Sequence, residues 1–427
     1  MTTLSRSQVR RYRWRHTQDW QRQHEQRRVQ VQARQQRRRA ARHQQRRTAL
    51  PGAVGARSAS QQLQLFLLGL RIPLIPSQVQ TLAAAVVGAL LANSCHLPRL
   101  AAWMPLGIRQ RSRLRRVERL LGSHKEKGGQ KVSTMAIMEP IARWCLRRAG
   151  STIYLVLDFT TQRDQFLVAM VSLIWGRRTI PLAWALGAAN TKGVSRRELA
   201  RQAVNQVAAW MPAGVVVIFI ADREFRAQHW RAHLKKLDWH FVFRLSADDT
   251  FVFFPDGTVS RRCDLARETV RGAPARGWTG VRVTAAQAGP YQLVAVWDQA
   301  AKEPWLLVSD LADPHRLPGI YGKRWSIEST FRDFKSYGFD LEASRIAEQD
   351  RFDRLLLVLA LSYGWAVRVG QALDQAGQRH LVDRGRTPKQ SAYRLGRYWL
   401  AHLWTIGDLE SARYHFDQVP QQAYATG

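Results

Sequence analysis

Cysteine is scarce in this 427-residue chain. Cys95, Cys145 and Cys263 lie too far apart for a CxxC metal cluster and are too few for a disulfide framework, which fits a reducing compartment. Long apolar runs are scarce as well. The most apolar segment, residues 355–369, is interrupted by Tyr363 and falls short of a roughly 20-residue membrane span, so we interpret it as a buried helix. The Arg/Gln-rich N-terminus does not resemble a signal peptide.

Acidic residues are also few, with 32 Asp and Glu against 66 Lys and Arg, which gives a formal net charge of +34. Such an excess points to a polyanionic partner rather than to any particular fold. Residues 1–57 hold 16 Arg and only two acids, and the rest of the chain remains basic. We predict that residues 1–60 form a disordered basic arm, because this segment lacks the apolar side chains needed for a core.

A helical DNA-binding domain is predicted at residues 61–149. Its basic helix, at about residues 109–121, places Leu114, Val117 and Leu121 on one face, while arginines cover the remainder. A solvated charged surface is the alternative interpretation. The arginine density favours contacts to DNA, with these candidates: Arg113, Arg115, Arg116 and Arg119.

The sequence becomes rich in β-branched and aromatic residues in the next segment, 150–247. Three strands are predicted first, and Ser195 then begins a helix in which Glu198 completes a capping box. A continuous apolar run at 215–220 is typical of a strand buried on both faces. This βββαβ order indicates an RNase H-like core, in which the first and fourth strands are parallel neighbours. The first three strands are expected at residues 152–157, 165–175 and 179–186.

Three further regions complete the predicted organisation. Residues 248–312 form a β-strand insertion, residues 313–345 a core helix that carries an acid, and residues 346–427 a helical C-terminal region. The fold class is therefore α/β, a mixed sheet with helices on both faces, to which the insertion and the terminal helical regions are added.

Two acids follow the apolar strands of this core. Asp158 comes directly after the first predicted strand, and Asp222 directly after the fourth. If these strands are parallel neighbours, both carboxylates emerge at the same edge of the sheet. Two nearby carboxylates repel each other unless a cation or a proton lies between them, and their hard oxygens suit Mg²⁺ or Mn²⁺.

A third acid, Glu328, lies in the segment 321–335. Tyr321, Arg324, Glu328 and Lys335 fall within an arc of about 60° if this segment is one helix. The adjoining arc would pack on the core through Ile327, Phe331 and Phe334. A salt-bridged surface helix is the alternative interpretation.

Two other candidate ligand sets remain open. Glu224, two residues after Asp222, is an alternative third acid. His229 and His233 have the i, i+4 spacing of a zinc pair, but no Glu follows His229 as in the H-E-x-x-H motif. Two ordinary histidines on a surface helix are the preferred interpretation.

The pattern Tyr-x2-Arg-x3-Glu-x6-Lys at residues 321–335 resembles the signature of DDE transposases of bacterial insertion sequences, of the "IS four" type. Asp-x-Thr at 158–160, Asp-Arg-x-Phe at 222–225 and the basic stretch at 113–121 are similar too. The resemblance covers roughly residues 65–375 and does not extend to the Arg/Gln arm.

This resemblance implies cut-and-paste transposition. Asp158, Asp222 and Glu328 would be catalytic and would bind two Mg²⁺ or Mn²⁺ ions, which activate water and then a 3′-hydroxyl for attack on phosphodiesters. The expected partner is double-stranded DNA, both transposon ends and target, held by a homodimer with Tyr321, Arg324 and Lys335 near the cleaved bond. No membrane or small-molecule substrate is expected, and the location would be the bacterial cytoplasm at the nucleoid. The alternatives are an RNase H-like nuclease and an inactive transposase-derived DNA-binding protein.

Overall fold

A ten-stranded mixed sheet runs through the part of the chain that the computed structural model describes. The described residues are 53–122, 132–189, 194–223, 228–283, 288–335, 338–385, 387 and 389–406. The strand order is β3-β2-β1-β4-β5-β10-β9-β8-β6-β7. The strands are β1 Thr152–Gln162, β2 Phe166–Trp175, β3 Arg178–Ala188, β4 Val216–Ala221, β5 His240–Leu245, β6 Phe251–Phe253, β7 Val259–Arg261, β8 Arg276–Val283, β9 Ala288–Val296 and β10 Trp305–Ser309.

The first five strands form the core that the sequence predicted. Strands β1, β2 and β3 are an antiparallel meander, and β4 pairs with β1 in parallel. Helix α6, Arg196–Trp210, makes the crossover between β3 and β4. The hydroxyl of Ser195 caps this helix by accepting a hydrogen bond from the backbone N–H of Glu198 at 3.2 Å. Helices cover both faces of the sheet, as in an RNase H-like core.

The region predicted as a β-strand insertion continues this sheet. Strand β10 lies within the predicted range 248–312, yet it is the antiparallel neighbour of the core strand β5. Strands β9, β8, β6 and β7 follow outward from β10. The physical reason is that β5 would otherwise be an edge strand with unpaired backbone N–H and C=O groups. The insertion is therefore joined to the core by a continuous hydrogen-bonded ladder.

The N-terminal helices and the last two helices pack against one another and form a helical layer. The predicted helical domain, residues 61–149, does not stand apart, because α2 and α1 contact α11 and α12 from the C-terminal region. The bounds are α1 Ala53–Gly69, α2 Pro76–Ala92, α3 Leu97–Trp103, α4 Gln110–Leu120, α5 Thr134–Leu146, α7 Gln228–Lys236, α8 Arg262–Arg267, α9 Leu317–Gly322, α10 Trp325–Phe334, α11 Gln349–Gln375 and α12 Ala392–Ile406. Short 3₁₀ turns lie at Pro314–Arg316, Leu341–Ser344 and Gln378–Leu381.

Close backbone approach holds this helical layer together. Gly370 of α11 and Gly396 of α12 face each other's helices, with Gly396 against the carbonyl oxygen of Ala366. Gly55 of α1 lies against the backbone of Trp404 near the end of α12. Side chains larger than hydrogen do not fit at these three glycines, so the first and last described helices pack backbone to backbone.

Helix α11 contains the apolar run at 355–369. It is long and apolar enough to cross a membrane by length and composition, but 78% of that apolar window is buried inside the protein. The bent pair α2 and α3, which meet at 102°, passes the same test only when counted as one span. A core helix with this composition fits the buried position of α11, as the sequence predicted.

Candidate active site

Register in the sheet brings Asp158 and Asp222 side by side. Leu157 of β1 and Ala221 of β4 are the last paired residues of the parallel ladder, and each aspartate comes next in its chain. The predicted position of Asp158 at the end of its strand was wrong, because β1 continues to Gln162 through pairing with β2 alone. Within the described residues no strand pairs with that side of β1 beyond Ala221, and this opens the sheet at Asp158.

The segment predicted as one helix is two. Helix α9 ends at Gly322 and α10 begins at Trp325. The backbone around the break makes hydrogen bonds between residues three apart, as in a 3₁₀ helix. The backbone N–H of Arg324 donates to the carbonyl of Tyr321 at 2.9 Å, and that of Ile327 to the carbonyl of Arg324 at 3.1 Å. Such turns are tighter than the α-helix, yet Tyr321, Arg324 and Glu328 still reach one cluster of acids. The apolar stripe does pack on the core: Ile327, Phe331 and Phe334 are buried.

Tyr321 and Arg324 connect the three acids. The Tyr321 hydroxyl donates to Asp222 Oδ1 at 3.2 Å. Arg324 donates through Nη1 to Asp158 Oδ2 at 3.0 Å and through Nη2 to Glu328 Oε1. Both connecting side chains are buried, with Tyr321 1% and Arg324 6% exposed. Acids from β1, from the end of β4 and from α10 therefore converge on one place.

The electrostatics of this cluster favour a cation. The pKa of Asp158 is raised to about 6, chiefly by burial and also by the neighbouring carboxylates of Asp222 and Glu328, against the opposing effects of Arg324 and of the backbone N–H of Phe159. Burial also raises the pKa of Tyr321 far above its usual range, so its hydroxyl stays protonated and donates. Burial lowers the pKa of Arg324, but its acidic and phenolic neighbours outweigh that effect and raise it. Arg324 therefore remains a fixed positive charge among the acids.

Lys335, the last residue of the predicted signature, lies apart from these contacts. It is the C-cap residue of α10 and is half-buried. With Thr160 and Gln162 it lines a small cavity beside the end of β1. That Tyr321, Arg324 and Lys335 contact DNA stays a prediction. In the structure, Tyr321 and Arg324 donate hydrogen bonds to carboxylates.

The four candidate arginines of α4 differ in their surroundings. Arg113 donates to the carbonyls of Ala102 and Met104 at 2.9 and 2.8 Å, at the C-terminal end of α3. Arg116 donates to Gln80 Oε1 of α2 at 3.2 Å. Arg115 and Arg119 are exposed, one helical turn apart. Arg113 thus satisfies carbonyls that the end of a helix leaves open, whereas Arg115 and Arg119 face solvent.

Sequence reasoning passed over two residues beside the acids, Arg244 and Glu303. Arg244 lies in β5 and forms an ion pair with Glu303, which also contacts Arg223. In the sequence, Arg244 could have been recognised as a single charged residue inside the apolar strand 240–245. Such a charge requires a partner, and that partner comes from the remote segment before β10.

The alternative ligands remain undecided. Glu224 and the side chain of His229 lie outside the described residues. His233 packs edge-on against Trp230 in α7, and burial lowers its pKa. Among the described residues no three or more His, Cys, Asp or Glu side chains are gathered around one metal-sized point. In the acid cluster this is because the guanidinium of Arg324 lies between Asp158 and Glu328.

Comparison with known proteins gave one family match. Residues 173–365 match the family model described as "Transposase DDE domain". The matched range begins in β2, ends in α11 and includes Asp222 and Glu328, while Asp158 precedes it. No curated protein matched the chain.

Proposed function

Since this chain carries a transposase DDE domain and is a DDE-type transposase, we propose that it binds the terminal inverted repeats of an insertion sequence of the "IS four" type. It then cleaves the DNA strands and joins them to a target by cut-and-paste transposition. The observation that supports this is the convergence of Asp158, Asp222 and Glu328 around one arginine and one tyrosine. A DNA-binding module that lacked catalysis would have no use for three converging acids in a chain of net charge +34.

Divalent metal ions are general to DDE transposases, and the donors in this cluster suit them. Three carboxylates offer hard oxygens. The pKa of Asp158 is raised mainly by burial and to a smaller extent by Asp222 and Glu328, and a bound cation would stabilise the ionised form of this carboxyl against both effects. Asp158, Asp222 and Glu328 would hold the metal, which we take to be two Mg²⁺ or Mn²⁺ ions. When bound, such ions supply Lewis-acid activation of the attacking and leaving oxygens.

The protein's own residues prepare this site. Arg324 keeps Asp158 and Glu328 together, and Tyr321 fixes the orientation of Asp222. Arg324 holds Oδ2 of Asp158 and Oε1 of Glu328, so these two oxygens would be open to a metal ion only if the guanidinium released them. A released guanidinium next to the cleaved bond would then pair with a DNA phosphate, for which its paired donors are well shaped.

The substrate is double-stranded DNA, both the transposon ends and the target, held by two copies of the chain in a synaptic complex. The place of action is the bacterial cytoplasm at the nucleoid. An RNase H-like nuclease that lacks strand transfer is the second candidate, because it would need the same acids. The helical layer that bears exposed arginines favours transposition, since end recognition requires a DNA-binding surface.

A strand-transfer assay tests the proposal. Purified full-length protein is incubated with Mg²⁺, a plasmid target and linear DNA that ends in the sequences flanking its own coding region. We expect cleavage at the junction and covalent joining of the ends to the plasmid. Hydrolysed ends that never join would favour the nuclease, and bound but intact DNA would favour the inactive alternative.

The arginines of α4 give a second test, on DNA binding. Arg115→Ala combined with Arg119→Ala should weaken binding to duplex DNA and flatten the slope of log affinity against log salt by about 0.9 for each lost phosphate contact. The melting temperature should hardly change, because both side chains are exposed. Fluorescence anisotropy across a salt series measures the effect.

Arg113→Ala is the matched control on the same helix. It removes one positive charge, against two in the exposed pair, and also removes the donors to the carbonyls of Ala102 and Met104. It should therefore lower the melting temperature and leave the salt slope nearly unchanged. If Arg113→Ala flattens the slope as much as the exposed pair does, α4 does not bind DNA through its outer face.

A further inference from the structure

Arg244 stands in register with the two aspartates. Ala221 of β4 pairs with Leu157 of β1 on one side and with Phe243 of β5 on the other, all in parallel strands. Asp158, Asp222 and Arg244 each follow one of these paired residues. Residues at the same level of neighbouring parallel strands carry their side chains on the same face of the sheet. Arg244 therefore lies on the same face, and at the same edge of the sheet, as the two aspartates. The positive charge of Arg244 also acts on the Tyr321 hydroxyl that binds Asp222.

Two arginines at this edge share one carboxylate oxygen. Arg244 Nη2 lies 2.8 Å from Oε1 of Glu303, and Arg223 Nη1 lies 3.6 Å from the same atom. Arg244 also donates to the carbonyl of Pro304 at 3.2 Å. Its Nε–H group is buried and has no acceptor among the described residues, although Arg244 is only 13% exposed at its side chain. The pair therefore retains donor capacity that Glu303 does not use.

Glu303 is a weakly held occupant of this position. It lies in the segment between β9 and β10 rather than in a strand, and its side chain is 53% exposed. More than half of the Glu303 side chain is open to solvent and its pair with Arg223 is exposed on both sides, so a competing anion can reach and displace this carboxylate. A phosphate group presents more oxygens than a carboxylate does, and it can accept from both guanidinium groups at once.

We propose that Arg223 and Arg244 form a binding site for a backbone phosphate of the substrate DNA, which Glu303 occupies until DNA displaces it. The proposal rests on the proposed function, because DNA that reaches Asp158 and Asp222 must pass this edge of the sheet. Glu303 acts as an internal competitor: it lowers affinity for DNA in general and shields the two arginines from stray anions.

The experiment compares two charge-matched variants of the full-length protein, Glu303→Gln and Glu268→Gln. Glu268 is also an exposed acid paired with an exposed arginine, Arg276, at 3.3 Å, but it lies among the outer strands of the sheet. Binding of a labelled duplex of arbitrary sequence is measured by anisotropy over a salt series, in EDTA. We expect Glu303→Gln to bind about two- to fivefold more tightly than Glu268→Gln, the range for freeing one exposed ion pair.

A further variant, and a measurement at Arg223 itself, test whether the gain in affinity arises at this position. Arg223→Gln should leave the fold intact, because this side chain is 52% exposed. Adding it to Glu303→Gln should remove the gain in affinity for DNA. DNA should also protect Arg223 from arginine-selective modification, read by mass spectrometry, more strongly than it protects Arg276. Equal affinities of the two glutamate variants, or equal protection of the two arginines, would overturn the phosphate site.

Failure of this proposal is distinguishable from failure of the proposed function. The binding measurement involves no cleavage, whereas transposition is read from joined products. Equal affinities together with normal strand transfer would remove only the phosphate site. A gain in Glu303→Gln with no strand transfer by the unmodified protein would leave the phosphate site standing and refute transposition.

Discussion

Asp158→Asn, Asp222→Asn and Glu328→Gln should each reduce DNA strand cleavage by at least about a thousandfold, while binding to DNA persists. The size follows from the role proposed for these acids, since a metal ion contributes several kcal/mol to the transition state and each 1.36 kcal/mol changes the rate tenfold. Each change removes one anionic donor but keeps the shape of the side chain. Cleavage of labelled duplex ends under single-turnover conditions measures the rate.

Asp333→Asn is the control for this series. Asp333 lies on α10 with Glu328, but it is buried against Arg178 at 3.7 Å rather than in the acid cluster. Burial raises its pKa, so a neutral amide is a mild change there, and cleavage should stay near that of the unmodified protein. Persistent cleavage in Glu328→Gln would refute the assignment of the third acid and direct attention to Glu224.

Gly396→Ala should strongly destabilise the helical layer, as should the addition of a methyl group at Gly370. A Cβ atom at Gly396 would overlap the carbonyl oxygen of Ala366 in α11, which is backbone and cannot rotate away. The two helices must separate to admit it, and overpacking of this kind costs about 1–3 kcal/mol or more in the free energy of unfolding. Circular dichroism during heating should show a melting temperature lowered by several degrees.

Gly364→Ala provides the comparison within α11. There the nearest atom to an added Cβ is Cγ2 of Ile180 at 3.5 Å, an ordinary contact. Alanine is the better helix former by about 1 kcal/mol, so this variant should melt at or above the temperature of the unmodified protein. If Gly396→Ala melts like Gly364→Ala, α11 and α12 are not held by close backbone approach.

The sequence predicts those features of the site that depend on residues close together in the chain. The strands before Asp158 and Asp222 are apolar throughout, so the sheet and its parallel pair could be predicted from composition and order alone. The partner of Asp158 could not. Arg324 lies 166 residues further along the chain, and only the assembled sheet places its guanidinium at that carboxylate.

The arginines of α4 illustrate the same limit. Periodicity separates the apolar stripe from the rest of the helix, and Val117 and Leu121 are indeed buried. It does not distinguish Arg113 from Arg115, because the difference comes from the end of α3, where the carbonyls of Ala102 and Met104 accept hydrogen bonds from Arg113. The break between α9 and α10 was not predicted either, because residues 321–335 have no proline and a regular apolar spacing, although Gly322 stands at the end of α9.

The contact between α1 and α12 also constrains when the protein can finish folding. Helix α1 ends at Gly69 and α12 begins at Ala392, so the ribosome makes more than 300 residues between them. At about 5–20 residues per second, α1 waits roughly 15–65 s for its last packing partner. During that interval the side of α1 that α12 will cover has no partner, and a prematurely terminated chain never covers it. Completion of the helical layer is therefore a late event in biosynthesis, set by translation.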